Sequence, residues 1–185
     1  SGCKGMTIYR EGSRDGVILS EKEKNRSKTS VSFGETNAPK RPEKLEADVI
    51  RFRNREEEWI AVVGLVEGRP YEIFTGKADA FYLHPAIKKG WVVRVKNGNE
   101  PARYDFTFKD KQGFDGIICG LSRMFNEEYW NYAKLISGIL RHGMPLPSVV
   151  NLISKLRFND DNIMTWKNGV SRALKNYIKD GTKVK

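Results

Sequence analysis

"EEWIAVVGLVEGRPYEIFTG" (57–76) is the stretch whose reading decides the fold. Its first half is a β-branched and aromatic run. Its second half alternates Tyr71 and Ile73 against Glu72 and Phe74, the period of a strand. Between them "VEGRP" supplies the glycine and proline of a tight connection, so the stretch predicts a hairpin. Upstream, "DVIRFRN" alternates Val49, Arg51 and Arg53 against Ile50 and Phe52. Downstream, a strand over 91–97 turns through Asn97-Gly98 into a strand over 102–109, where Tyr104, Phe106 and Phe108 share one face. About five strands joined by short turns predict a mostly antiparallel sheet.

Beyond residue 124 the period becomes helical. Asn126 can cap a helix whose first turn carries Glu127 and Glu128, as the helix dipole favours, and Phe125 can staple onto Trp130. Tyr129, Ala133, Ile136 and Leu140 fall on one face, and Gly143 and Pro145 stop the helix. A second helix starts at Pro147, with Val149, Val150, Ile153 and Leu156 inward. A third spans about Thr165 to Asp180, carries Trp166, Val170, Leu174 and Tyr177, and is closed by Gly181. Strands followed by helices predict an α+β fold, a sheet covered on one face by about three C-terminal helices. The helical aromatics, Tyr129, Trp130, Tyr132, Trp166 and Tyr177, read at this spacing as core, not as a cofactor box.

Upstream of the sheet the composition changes. "SEKEKNRSKTS" is charged and free of large apolar groups, and "ETNAPKRPEK" carries two prolines. Residues 17–46 therefore read as a flexible linker, residues 1–16 as a separate extended tail, and residues 47–185 as the folded domain.

The chain carries 33 Lys and Arg against 23 Asp and Glu, a formal charge of +10. That raises the prospect of a polyanionic partner, although lysines scattered over solvated faces give the same total. Two cysteines, Cys3 and Cys119, form neither a disulfide framework nor a CxxC pair and read as reduced thiols. With no membrane-length apolar run and no signal-peptide pattern, the expected compartment is the cytoplasm, with no membrane partner.

The residues of chemical interest in 47–185 are few. His84 stands in a loop before a proline, and His142 in the last turn of a helix, where it reads as a cation facing the dipole. Two distant histidines and two distant cysteines give no metal spacing. There is no GxSxG, P-loop or HExxH. The carboxylates Glu56, Glu57, Glu58, Asp160 and Asp161 read as solvated turn and helix-entry residues. The domain is thus expected to have no catalytic centre of its own, and to hold neither cofactor nor metal. A second reading rests on Arg51, Arg53 and Arg55, read as alternating on one strand face, with Arg94, Lys96, Arg103 and Lys109 on the second hairpin. An open basic and aromatic sheet face can stack bases and pair phosphates. The simpler reading makes one face core and the other solvated.

"GCKGMTIYREGSRDG" (2–16) resembles the stretch that closes the catalytic barrel of ribonucleotide reductases, above all the adenosylcobalamin-dependent class II enzymes. Lys4 through Arg14 follow the family's K-G-[ILM]-T-[VI]-Y-R-[DE]-G-S-R run nearly position for position. "EGRPYEIFTGK" (67–77) and "AKLISGILRHGMPLPSVVNLISKL" (133–156) are similar to the small TSCPD-type accessory domain that follows the barrel. The resemblance implies a parent that reduces ribonucleotides to deoxyribonucleotides by thiyl-radical chemistry with adenosylcobalamin. It places Lys4, Gly5, Tyr9, Arg10 and Arg14 near the parent's active site. Arg10 stands where a related class has the second of two adjacent tyrosines, so radical import through a tyrosine pair is not expected. The radical cysteine, the reducing pair and the nearby Asn and Glu belong to the barrel, and "KDGTKVK" ends without the family's Cys-rich tail. This implies a piece of a longer chain cut at both ends, or a member without that tail. The implied partner is the remainder of the reductase. Without it, the severed barrel strand is expected to be disordered or borrowed by a second copy, giving a homo-oligomer through the tail.

Overall fold

The computed structural model describes residues 34–124, 126–158 and 165–179. The described residues from Thr36 onward belong to one compact unit; ahead of it only Gly34 and Glu35 are described, both exposed. Lys4, Gly5, Tyr9, Arg10, Arg14, Cys3, Phe125, Asp160, Asp161 and Gly181 lie outside the described residues.

The hairpin read from 57–76 is present. Strand β2 (Glu57–Val66) turns through Glu67 and Gly68 into β3 (Arg69–Lys77). Both turn residues have positive φ, 51° and 75°, the mirror-image two-residue turn that matches the twist of a hairpin. Strand β1 (Lys44–Asn54) precedes them, and a short helix α1 (Ala78–Phe81) follows. Then come β4 (Lys89–Val95), β5 (Arg103–Lys109) and β6 (Asp115–Ile118). The six strands form one antiparallel sheet in the order β3-β2-β1-β4-β5-β6. After a 3₁₀ turn the chain runs through α2 (Glu127–Arg141), α3 (Leu146–Ser154) and α4 (Trp166–Lys175). The α+β class is as expected.

The expectation of one buried and one solvated face is corrected. Trp59, Ile60, Ala61, Val62 and Val63 are all buried in succession, so β2 is covered on both sides. One core lies beneath the helices and gathers Phe52, Trp59, Ala61, Val63 and Ile73 against Ile136, Val150, Trp166 and Leu174. The other holds Val49, Ile60, Val62, Phe74, Val92, Phe106 and Leu121. Its existence follows from curvature. The rings of Phe74 on β3 and Tyr104 on β5 stand 5.4 Å apart although three strands intervene, where a flat sheet would hold them about 19 Å apart. The sheet curls until its own concave face becomes a core. Gly90 permits this closeness: a Cβ there would meet the Thr107 carbonyl at 2.4 Å and the Phe106 ring at 2.5 Å.

The helices follow their sequence signals. Asn126 caps α2 by accepting from the Glu128 N–H, and Ala133, Ile136 and Leu140 are buried. Ser137 of α2 accepts from the Ile73 N–H at 3.0 Å, which covers the outer edge of β3. Trp166 of α4 donates its indole N–H to Thr75 at 2.9 Å.

Candidate functional site

One end of the concave face is polar, and β3, β4 and β5 supply its walls. Glu72 stands on the same face of β3 as Phe74 and is fully buried. Gly64, directly across on β2, leaves it room: a Cβ there would lie 2.8 Å from the Glu72 side chain. A buried carboxylate is costly unless paired and hydrogen-bonded. Here Arg41 clasps it bidentately, Nε to Oε2 at 2.9 Å and Nη2 to Oε1 at 2.6 Å, with its own side chain only 6% exposed. Arg141 at the end of α2 adds a bond to Oε2 at 3.0 Å. The two guanidinium groups also lie over rings, Arg41 over Tyr104 and Arg141 over Tyr71.

Arg41 belongs to the stretch preceding β1, which is pinned along its length. Tyr71 donates its hydroxyl to the Pro39 carbonyl at 2.7 Å, and His142 Nδ1 lies 2.8 Å from the Thr36 carbonyl oxygen. His142, expected to face the dipole of its own helix, does close α2 through its backbone N–H, and its ring reaches Thr36. Residues 36–43, read by composition as linker, thus lie against the fold, and β1 opens at Lys44, ahead of Ala47.

Beside this clasp opens a cleft of about 430 Å³ at the mouth of the curl. Phe74, Tyr104 and Trp130 form its aromatic wall, with Phe74 and Trp130 centred 5.7 Å apart. Arg94, Lys134 and Arg141 bring three cations to it, and no carboxylate lines it. Arg94 lies directly opposite Tyr104 across the β4–β5 ladder. The Nε atoms of Arg94 and Arg141 are buried and make no hydrogen bond.

Of the basic residues singled out from sequence, only Arg94 reaches this cleft. Arg51 is half-buried and donates to the Leu83 carbonyl. Arg53 is exposed and donates to the Glu56 carbonyl at 3.2 Å. Arg55 does not continue their alternation: it lies in the turn after β1, with φ 58°. Lys96 is exposed in the loop after β4, Arg103 pairs with Asp105, and Lys109 with Asp115. A continuous open basic face is therefore not what the sheet presents, because its curl turns one side into core. Arg41, Glu72, Lys134 and Arg141 were not picked out from sequence. The available signal was Glu72 itself, one carboxylate inside the apolar run "YEIF", which demands a cation.

Among the described residues no group of three or more His, Cys, Asp or Glu is placed to hold a metal ion, and Cys119 is free and exposed. No described helix is long and apolar enough to cross a membrane.

The architecture is that of a small α+β domain built round a curled antiparallel sheet, with a cationic, aromatic-walled opening at the mouth of the curl. The family model of the NrdJ homologue C-terminal domain matches residues 45–179, and the chain belongs to that family. The match bears out the resemblance to the C-terminal region of class II ribonucleotide reductase-like proteins. No curated protein and no solved structure matches the chain significantly.

Proposed function

We propose that the chain is the accessory C-terminal part of a ribonucleotide reductase-like enzyme, and that its folded domain anchors the connector leading from the catalytic barrel. The observation that carries this is the pinning of residues 36–43 by Arg41–Glu72, Tyr71–Pro39 and His142–Thr36. A tethered domain that grips its own tether fixes where the preceding segment leaves it, and so can pack on the barrel or position a reducing tail. The barrel-like motif at 4–14 lies on the far side of that connector. On this reading ribonucleotide reduction takes place in the barrel. Adenosylcobalamin, which the resemblance to class II enzymes implies, would act in the barrel as well.

The test incubates the chain with ribonucleoside di- and triphosphates, adenosylcobalamin and a dithiol. A parallel sample adds the catalytic barrel of a class II reductase of the same lineage. The expected result is no deoxyribonucleotide from the chain alone and a complex with the barrel in sedimentation velocity. Turnover by the chain alone overturns the assignment.

A further inference from the structure

We propose that the N-terminus of α4 binds a phosphate group, free or carried by a small ester, in the cleft it shares with α2 and the turn after β1. Thr165 is the residue from which α4 starts. A threonine in this position ordinarily turns its hydroxyl back to accept an N–H of the first helical turn. Here it makes no such bond. The residue is 3% exposed, and its Oγ1 is buried without a hydrogen-bond partner. A buried hydroxyl left unpaired is costly, and this one stands in the wall of an open cleft of about 350 Å³.

The backbone beside it offers donors of its own. The first bond within α4 runs from the Gly169 N–H to the Thr165 carbonyl at 3.0 Å. The N–H groups of Trp166 and Lys167, ahead of it, therefore have no acceptor within the helix. Aligned peptide dipoles place partial positive charge at this end, and the first turn of α4 holds no acidic residue to meet it. In α2, by contrast, Asn126 accepts from the Glu128 N–H, and the first turn carries Glu127 and Glu128.

The walls add cations. Arg157, exposed after α3, and Arg55, in the turn after β1, both line the cleft. Arg157 takes part in none of the described ion pairs. Glu128 is the one carboxylate among the described lining residues, and it accepts from the Tyr132 hydroxyl at 3.1 Å. The rings of Tyr129, Tyr132, Phe158 and Trp166 pack on one another, with centroids 5.4–6.4 Å apart, and so serve as a wall and not as a platform for a base. What the cleft offers a ligand is a hydroxyl, helix N–H groups and two guanidinium groups, brought in by three segments of the chain. A tetrahedral oxyanion can accept from all of them at once.

The experiment titrates the full chain with inorganic phosphate, glycerol phosphate and acetate at constant ionic strength, read by heteronuclear NMR of the backbone amides. Phosphate is expected to saturate one site and to shift the amides of Trp166 and Lys167. Tighter binding of the ester than of the free ion supports a carried phosphate, and the reverse supports the ion. Acetate should bind at least about tenfold more weakly than either. Thr165→Val keeps the shape and removes the hydroxyl. It should weaken phosphate about threefold or more at an unchanged or raised Tm, because no bond within the protein is lost. Thr165→Ser should retain the affinity. Arg157→Ala should weaken binding about tenfold, and Lys96→Ala, which removes a charge outside the cleft, should leave it unaltered. Four results each overturn the proposal: no saturation by either phosphate, acetate binding as tightly, unaltered affinity in Thr165→Val, or a Tm lowered by that variant.

Discussion

Glu72 is held in an apolar strand by two guanidinium groups, and the arrangement is stable only while both signs are present. Glu72→Gln keeps the shape but strips Arg41 of its counter-charge while that side chain stays 6% exposed. Breaking a buried pair from one side costs about 3–5 kcal/mol, which urea denaturation should register in full. Tyr177 gives a pH signature. Burial and its hydrogen bond to Asp48, 2.6 Å long, push the phenol well above its usual 10. The folded state therefore favours the neutral phenol: that contribution is intact below pH 10 and is lost as pH rises beyond it. Tyr177→Phe should cost about 1–2 kcal/mol near neutrality, and the gap to wild type should narrow above pH 10 in pH-resolved denaturation. Of these residues the sequence displayed Glu72 as an anomaly without its partners. Arg41 lay 31 positions away in a stretch whose composition reads as linker, and composition carries no information on long-range pairing.

Individual elements were more legible than the pairs that join them. The hairpin turn at Glu67-Gly68 and the cap at Asn126 are local devices, so the residues that form them are adjacent in sequence. Asn126→Ala removes the acceptor for the Glu128 N–H and should cost about 1 kcal/mol, measured as a lowered urea midpoint at an unchanged slope. Several elements departed from the reading, among them the short helix α1 and the end of α4, at Lys175 where about Asp180 was expected. The sixth strand, β6, has only four residues, too few to show a period. The Asn97-Gly98 turn opens into a loop over 96–102, stitched by Glu100 donating to the Asn97 carbonyl, because β4 already ends at Val95.

For the whole molecule, the α+β class was readable because alternation followed by helical period needs only local pattern. The second core was not. Alternation tells which residues share a face, whereas curvature depends on Gly90, on Phe106 and on the meeting of Phe74 with Tyr104 across three strands. The candidate cleft is a product of that curvature, since it gathers Arg94, Phe74, Tyr104 and the α2 residues at one rim. Arg94 stood out beforehand, but for a different surface, while Tyr104 and Trp130 were legible as packing residues and not as neighbours of one another. The same curvature seats Arg41, and with it the connector that the proposed accessory role requires.

Backbone NMR relaxation at residues 36–43 tests that role most directly, in the wild-type chain and in Glu72→Gln under conditions where both remain folded. The account predicts order parameters at Arg41 and its neighbours close to those of β2 in the wild type, and lowered values there in the variant while β2 stays rigid. Order parameters of a free peptide at these residues in the wild-type chain would contradict it, because a connector that is not gripped leaves the domain nothing to anchor.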